Sequence, residues 1–313
     1  MMNSARISYY DREILKELRL RVETNDPHFF GQKKLKMRGK DLKAIPHVLF
    51  TMIELEVLDL SPERESCLAF RLPLVPPSIG RLINLRVLML DTNELYSLPK
   101  EICLLQSLER ISLSNNYLTS LPHGFGRLPQ LRSIHASNNK FEAFPLEVCD
   151  IKVLQFLDLS DNLLMSVPDE ISKLVNLRTL LLNYNKLIKL PDALCELVDL
   201  ECLWLGNNRL RELPHNFGQL VRLDWGYRYT SSVLEMNPLM HPPIEICRMG
   251  PHKINEYFKD LDSVRDISTS EYEEDELHAL NEDSENEDKN VNTSGQTETL
   301  GNIVEEDEEK AEL

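Results

Sequence analysis

Six cysteines and eight histidines are the side chains of this 313-residue chain best suited to nucleophilic or metal chemistry. Cys103, Cys149, Cys195 and Cys247 each lie four residues after a proline. Gly126, Ser172 and Gly218 hold the same place after Pro122, Pro168 and Pro214, so the slot selects a small residue and takes cysteine at alternate occurrences. If successive occurrences belong to neighbouring strands, alternate ones are about 10 Å apart, beyond the roughly 7 Å a disulfide spans. These thiols are expected to be packed, neither bridged nor metal-bound. The histidines form no H-x-x-x-H pair and no Cys/His cluster with ligand spacing. His123 and His215 directly follow prolines and are expected in solvent. Glycine-rich phosphate loops and a G-x-S-x-G elbow are absent from the sequence. No catalytic residue, metal or cofactor is expected, and no enzyme activity.

The cysteine slot belongs to a longer rhythm. Leu85, Leu108, Leu131, Leu154, Leu177, Leu200 and Leu223 recur every 23 residues. Each opens a unit L-x-x-L-x-L-x-x-N-x-L-x-x-L-P, seen in Leu154, Leu157, Leu159, Asn162, Leu164, Val167 and Pro168. A unit near Gln32, one from Leu55 with seven extra residues in 61–70, and the unit from Leu223 with six extra make nine. Alternating leucines predict a short half-buried strand, and stacking of units predicts one parallel sheet over a continuous core. Segments such as Ile171 with Leu174, and Phe125 with Leu128, return on the convex side. The asparagines at 93, 116, 139, 162, 185, 208 and 237 are expected to bond backbone groups that no sheet reaches. The fold class is therefore α/β, a solenoid with a parallel concave sheet and helical caps at both ends.

Units with L-P followed three residues later by Ile, Val, Leu or Phe resemble leucine-rich repeats of the intracellular, Ras-group type, such as those of erbin, scribble and Ras suppressor protein. The resemblance covers about 32–261 and implies a short, repeat-only member. It implies a signalling scaffold whose partner is a small GTPase or a phosphatase. Its close, Asn237-Pro238-Leu239 and then Tyr257-Phe258-Lys259-Asp260-Leu261, implies a capping helix. The division expected is a cap region over 1–31, repeats over 32–251, a cap helix over 252–262 and a tail over 263–313. Tyr10, Ile14, Leu15, Leu18 and Val22 at helical spacing predict the first cap over about 9–23, with a membrane-surface helix as the competing reading.

Charge separates body from tail. The net charge is −16, but 263–313 holds 18 acidic and 3 basic residues, and 1–262 holds 33 and 32. Neither part is basic enough for nucleic acid. No apolar run is long enough for membrane insertion, and no secretory signal is read at the start, so a cytoplasmic, reducing setting is expected, with the nucleus as the alternative. The tail composition predicts disorder. Ser268, Ser270 and Ser284 each precede a Glu by three residues, resembling acid-directed kinase sites. Phosphorylation there would add about two charges per site.

The period also says which strand side chains are free of core duty. These include Met89 and Asp91, Arg110 and Ser112, Ser133 and His135, Phe156 and Asp158, Thr179 and Leu181, and Cys202 and Trp204. The candidate partner-binding patch is Phe156, Leu181, Tyr184 and Trp204, with Arg110, His135, Asp158, Lys186 and Arg209 setting its polarity; ordinary lateral packing is the competing reading. The expected function is a monomeric, non-enzymatic scaffold that binds another protein on this face. Alternatives are an acidic-tailed histone-binding protein and a substrate-recognition subunit of a phosphatase or ligase.

Overall fold

The computed structural model describes residues 8–62, 70–223 and 234–263. The inserts of the second and last units, Trp225 to Tyr229 among them, lie outside these residues, as do Cys67 and the three tail serines. Eight three-residue strands follow in chain order: β1 (Lys34–Lys36), β2 (Val57–Asp59), β3 (Val87–Met89), β4 (Arg110–Ser112), β5 (Ser133–His135), β6 (Phe156–Asp158), β7 (Thr179–Leu181) and β8 (Cys202–Trp204). They form one parallel sheet in the order β1 to β8. The middle residue of each strand points into the core. Leu35, Leu58, Leu88, Ile111, Ile134, Leu157, Leu180 and Leu203 lie in one unbroken register, all buried. Each such side chain stabilises by about 1.5–3 kcal/mol through burial. Leu58 pairs with Leu88 despite the seven extra residues between them, so the insert leaves the register intact.

The return path on the convex side is a short 3-10 turn in most units, for example Asp169–Lys173 and Asp192–Glu196. A proline precedes each of these turns in extended conformation, and Ile171 and Leu174 are fully buried beneath them. The asparagine ladder forms as its spacing predicts. Asn162 Nδ2 donates to Ala136 O of the preceding unit at 3.1 Å and to Leu159 O of its own at 3.1 Å, while Oδ1 accepts from Phe141 N at 3.2 Å. Asn237 repeats the pattern with Leu205 O and Leu210 N, which carries the ladder past the second insert.

Both ends of the array are covered. Helix α1 (Tyr9–Leu20) starts at Ser8, whose Oγ accepts from Asp11 N at 3.0 Å, and buries Leu18. It is shorter than the expected 9–23, because Glu23 leaves to form an antiparallel bridge with Lys34 on the open side of β1. That bridge blunts the sheet edge. Tyr10, expected to face inward, is exposed. At the other end the chain is helical over 251–263. Ile254 and Phe258 are buried, Phe258 stacks on His215 at 4.6 Å, and Asn255 Nδ2 donates to Gly218 O at 3.2 Å.

Candidate protein-binding face

The cysteine slot is where adjacent convex turns touch. A Cβ on Gly126 would lie 2.5 Å from Glu147 O, and one on Gly80 would lie 2.7 Å from Glu101 O. Gly80 holds the same slot after Pro76 and extends the alternation by one unit. Glycine thus admits the next turn. Burial pushes the thiols of Cys149, Cys195 and Cys247 up to about 12, so they are inert at neutral pH. Cys103 is half-buried, and its Sγ meets His123 O at 3.7 Å. His123 and His215 are both exposed, as expected; His123 lies near Glu147, and one face of the His215 ring stacks on Phe258. Among the described residues no group of three or more His, Cys, Asp or Glu is placed to hold a metal.

On the strand face the candidate residues fall into two groups. In the middle, the rings of His135 and Phe156 meet at 4.4 Å, tilted by 31°, and Ser133 Oγ lies 3.0 Å from His135 Nε2. Burial first, then the charge of Arg110, holds His135 below its ordinary range, with Asp158 pulling the other way. Asp158 is itself engaged, accepting from Ser160 N at 2.9 Å and from Ser160 Oγ. Toward the end of the sheet, Leu181 and Trp204 are register neighbours on β7 and β8, both half-buried. Tyr184 stands at the rim, 57% exposed. Lys186 and Arg209 lie beyond the ladder, where their backbone N–H groups bond Leu164 O and Leu187 O of the preceding units. Phe156 pairs laterally with Ser133 and Thr179, so it is offset by two residues along the strand from the row of Asp158, Leu181 and Trp204. Ser112, expected to face outward, is buried.

Two features went unread in the sequence. The residue before each ladder asparagine has positive φ: Thr92, Asn115, Asn138, Asp161, Tyr184, Asn207 and Met236. Asn and Asp tolerate this region, but Thr, Tyr and Met are strained there. Tyr184 is therefore an aromatic held in an unfavourable backbone at the rim of the patch. The repeated Asn-Asn at 115–116, 138–139 and 207–208 was the available signal. Secondly, a cavity of about 310 Å³ lies between the last units, lined by Asn183, Tyr184, Trp204, Gly206, Glu235 and Met236. At the opposite end of the sheet, Asp59 is buried against Lys36 at 3.1 Å. Asp91 is pushed up to about 6 by burial, and further by the charge of Asp59.

The family described as Leucine rich repeat matches residues 83–141, and its single-repeat form matches 153–174, 176–197 and 199–220. A leucine-rich repeat protein of Leptospira interrogans is similar in structure (TM-score 0.55) at 32% identity, over 66% of this chain and 51% of its own. The plant peptide hormone receptor RGFR1, solved in complex with RGF2, is similar at 25% identity over 67% of this chain and 32% of its own, with a TM-score of 0.51. An internalin of Listeria monocytogenes shares the fold at 19% identity, with a TM-score of 0.52 over 66% of this chain and 55% of its own. The chain thus spans about a third to just over half the length of these structures. None of the curated proteins matches it. No helix among the described residues is long and apolar enough to cross a membrane.

Proposed function

We propose, from the premise that the chain is a leucine-rich repeat protein, that it is a non-enzymatic scaffold that binds another protein on its strand face. The observation that carries this reading is the Leu181–Trp204 row with Tyr184 exposed beside it. These are residue types that anchor interfaces, set on a rigid sheet whose other face holds the core. The middle group of Arg110, His135, Phe156 and Asp158 adds a polar, partly aromatic neighbour that orients the partner. Binding of RGF2 by the plant receptor is an instance of this kind of array carrying a ligand, and it supports the reading. The Ras-group resemblance makes small GTPases and phosphatases in the cytoplasm the partner classes to test first.

Replacing Phe156, Leu181 and Trp204 together with Ala removes the anchors while leaving the fully buried core column untouched. Affinity capture from native cells should lose its specific proteins with this variant, whose thermal transition by circular dichroism remains cooperative. Unchanged capture by the folded variant overturns the proposal. The net charge of −15 over 263–313 favours one second reading, a binder of histones or other basic proteins through the tail. In that case capture is lost on deleting 263–313 and on raising salt, and survives the triple replacement.

A further inference from the structure

The cavity beside Trp204 contains an acceptor that the fold leaves unused. Asn183 Oδ1 is buried and has no hydrogen-bond partner. The reason lies in the column of side chains two positions before each ladder asparagine, Asp91, Ser114, Ser137, Ser160, Asn183, Gly206 and Glu235, which Ser61 extends by one unit. Along its first part the column bonds to itself. Ser61 Oγ accepts from Asp91 N at 3.0 Å, Asp91 Oδ1 accepts from Ser114 N at 2.8 Å, and Ser137 Oγ donates to Ser114 Oγ at 3.0 Å. The chain of bonds then breaks on both sides of Asn183. Ser160 Oγ turns away to Asp158, and the next unit supplies Gly206, which has no side chain. The missing side chain at Gly206 leaves both the cavity and the orphaned carbonyl. A buried acceptor without a donor costs free energy that an incoming N–H recovers.

The rest of the lining indicates what brings that N–H. Trp204 and the strained Tyr184 supply aromatic rings, Met236 a soft apolar side chain, and Glu235 a carboxylate whose Oε1 is engaged by Arg248 at 3.0 Å. Aromatic rings together with acceptors favour a flat cation with several donors over a neutral or anionic group. The size, about 310 Å³, suits one side chain rather than a cofactor. We propose that this cavity receives an arginine side chain of the partner protein, its guanidinium stacked between Trp204 and Tyr184 and donating to Asn183 Oδ1. The inference rests on the strand face being the binding face and adds which residue of the partner anchors there.

The test uses the full chain and N-acetyl-arginine amide as the probe, followed by the indole N–H resonance of Trp204 assigned by a Trp225→Phe variant. A saturable shift with a dissociation constant on the order of millimolar is expected, given the small ligand. N-acetyl-citrulline amide, equal in shape but uncharged, should bind about tenfold more weakly. Gly206→Ser installs the residue found at this place in Ser114, Ser137 and Ser160, so it is compatible with the fold. It fills the cavity, offers Asn183 a donor, and should abolish the shift. Asn183→Leu, which removes the acceptor, should do the same with the cavity open. No saturable shift with the arginine probe, equal binding of citrulline, or full binding by folded Gly206→Ser overturns the proposal. Partner capture that needs Phe156, Leu181 and Trp204 but is unchanged in Gly206→Ser refutes the arginine site while leaving the binding face standing.

Discussion

Single side chains in this protein are used sparingly and mostly in columns. The ladder asparagines show it best. Each satisfies at least three backbone groups that an apolar residue would strand, so the fold depends on an amide at that one place in each unit. Asp91 is the contrasting case. Its carboxyl is held near 6 by burial, above the ordinary 3.8. A raised carboxyl pKa means that the neutral form is favoured in the folded state. That contribution to stability is complete below 3.8 and is lost as pH rises through 6. Asp91→Asn keeps the acceptor for Ser114 N and removes the charge. It should leave stability unchanged at pH 3.5 and raise it by about 2 kcal/mol at pH 7.5, read from urea unfolding at both values. A gain of equal size at both values would show that burial of the charge is not the cause. The ladder was legible because its asparagines recur at a fixed interval. The raised carboxyl was not, since burial of a residue just past a strand depends on which neighbours cover it. Ser112 shows the same limit, having been expected in solvent and found buried.

Between elements, the controlling dimension is the distance from one convex turn to the next. Strands set a spacing of about 4.8 Å on their side, and the turns opposite must fit the same stack. Gly80 and Gly126 are the points of closest approach between turns, and Gly218 is that between the last turn and the helix over 251–263. Gly126→Val would drive a side chain into Glu147 O and the Asp150 Cβ, which lies 2.8 Å from an added Cβ. The expected cost is about 2–4 kcal/mol, seen as a lower urea midpoint with unchanged slope. A shift under about 0.5 kcal/mol would show that the turns separate freely. The alternation of cysteine with glycine or serine was visible in the sequence as a small-residue slot. Its purpose was not, because close backbone approach leaves no signature beyond the absence of a side chain. The helical spacing of α1 was legible to within a turn, but its end was not, since the bridge from Glu23 to Lys34 is a pairing across eleven residues.

For the array as a whole, stability is a sum of neighbouring interfaces, and the end units have only one neighbour each. The helix over 251–263 therefore does for the last turn what another repeat would do. Ending the chain at Met249 uncovers His215 and Gly218 and removes the buried Ile254 and Phe258. Its melting temperature should fall by about 10 °C, or the protein should aggregate, whereas a chain ending at Ser263 should melt with the full-length protein. Equal melting of the Met249 chain would show that the helix is not a cap. The repeat number, the sheet and the core column were all legible, because a 23-residue period repeats each signal many times. The candidate site was legible only in part. Leu181, Tyr184 and Trp204 could be read from the period, but the cavity that links Tyr184 to Trp204 arises from a break in the pattern, Gly206, and a single glycine in a sequence carries little weight alone.

The register that passes unaltered from Leu58 to Leu88 has a practical consequence. Seven additional residues in the chain between these strands shift no partner, so chain length in that interval is decoupled from the geometry of the stack. That interval of the chain tolerates added length. A peptide tag, a fluorophore site or a second recognition loop placed between Ser61 and Leu72 can be exchanged there, while the sheet that presents Leu181 and Trp204 keeps its alignment.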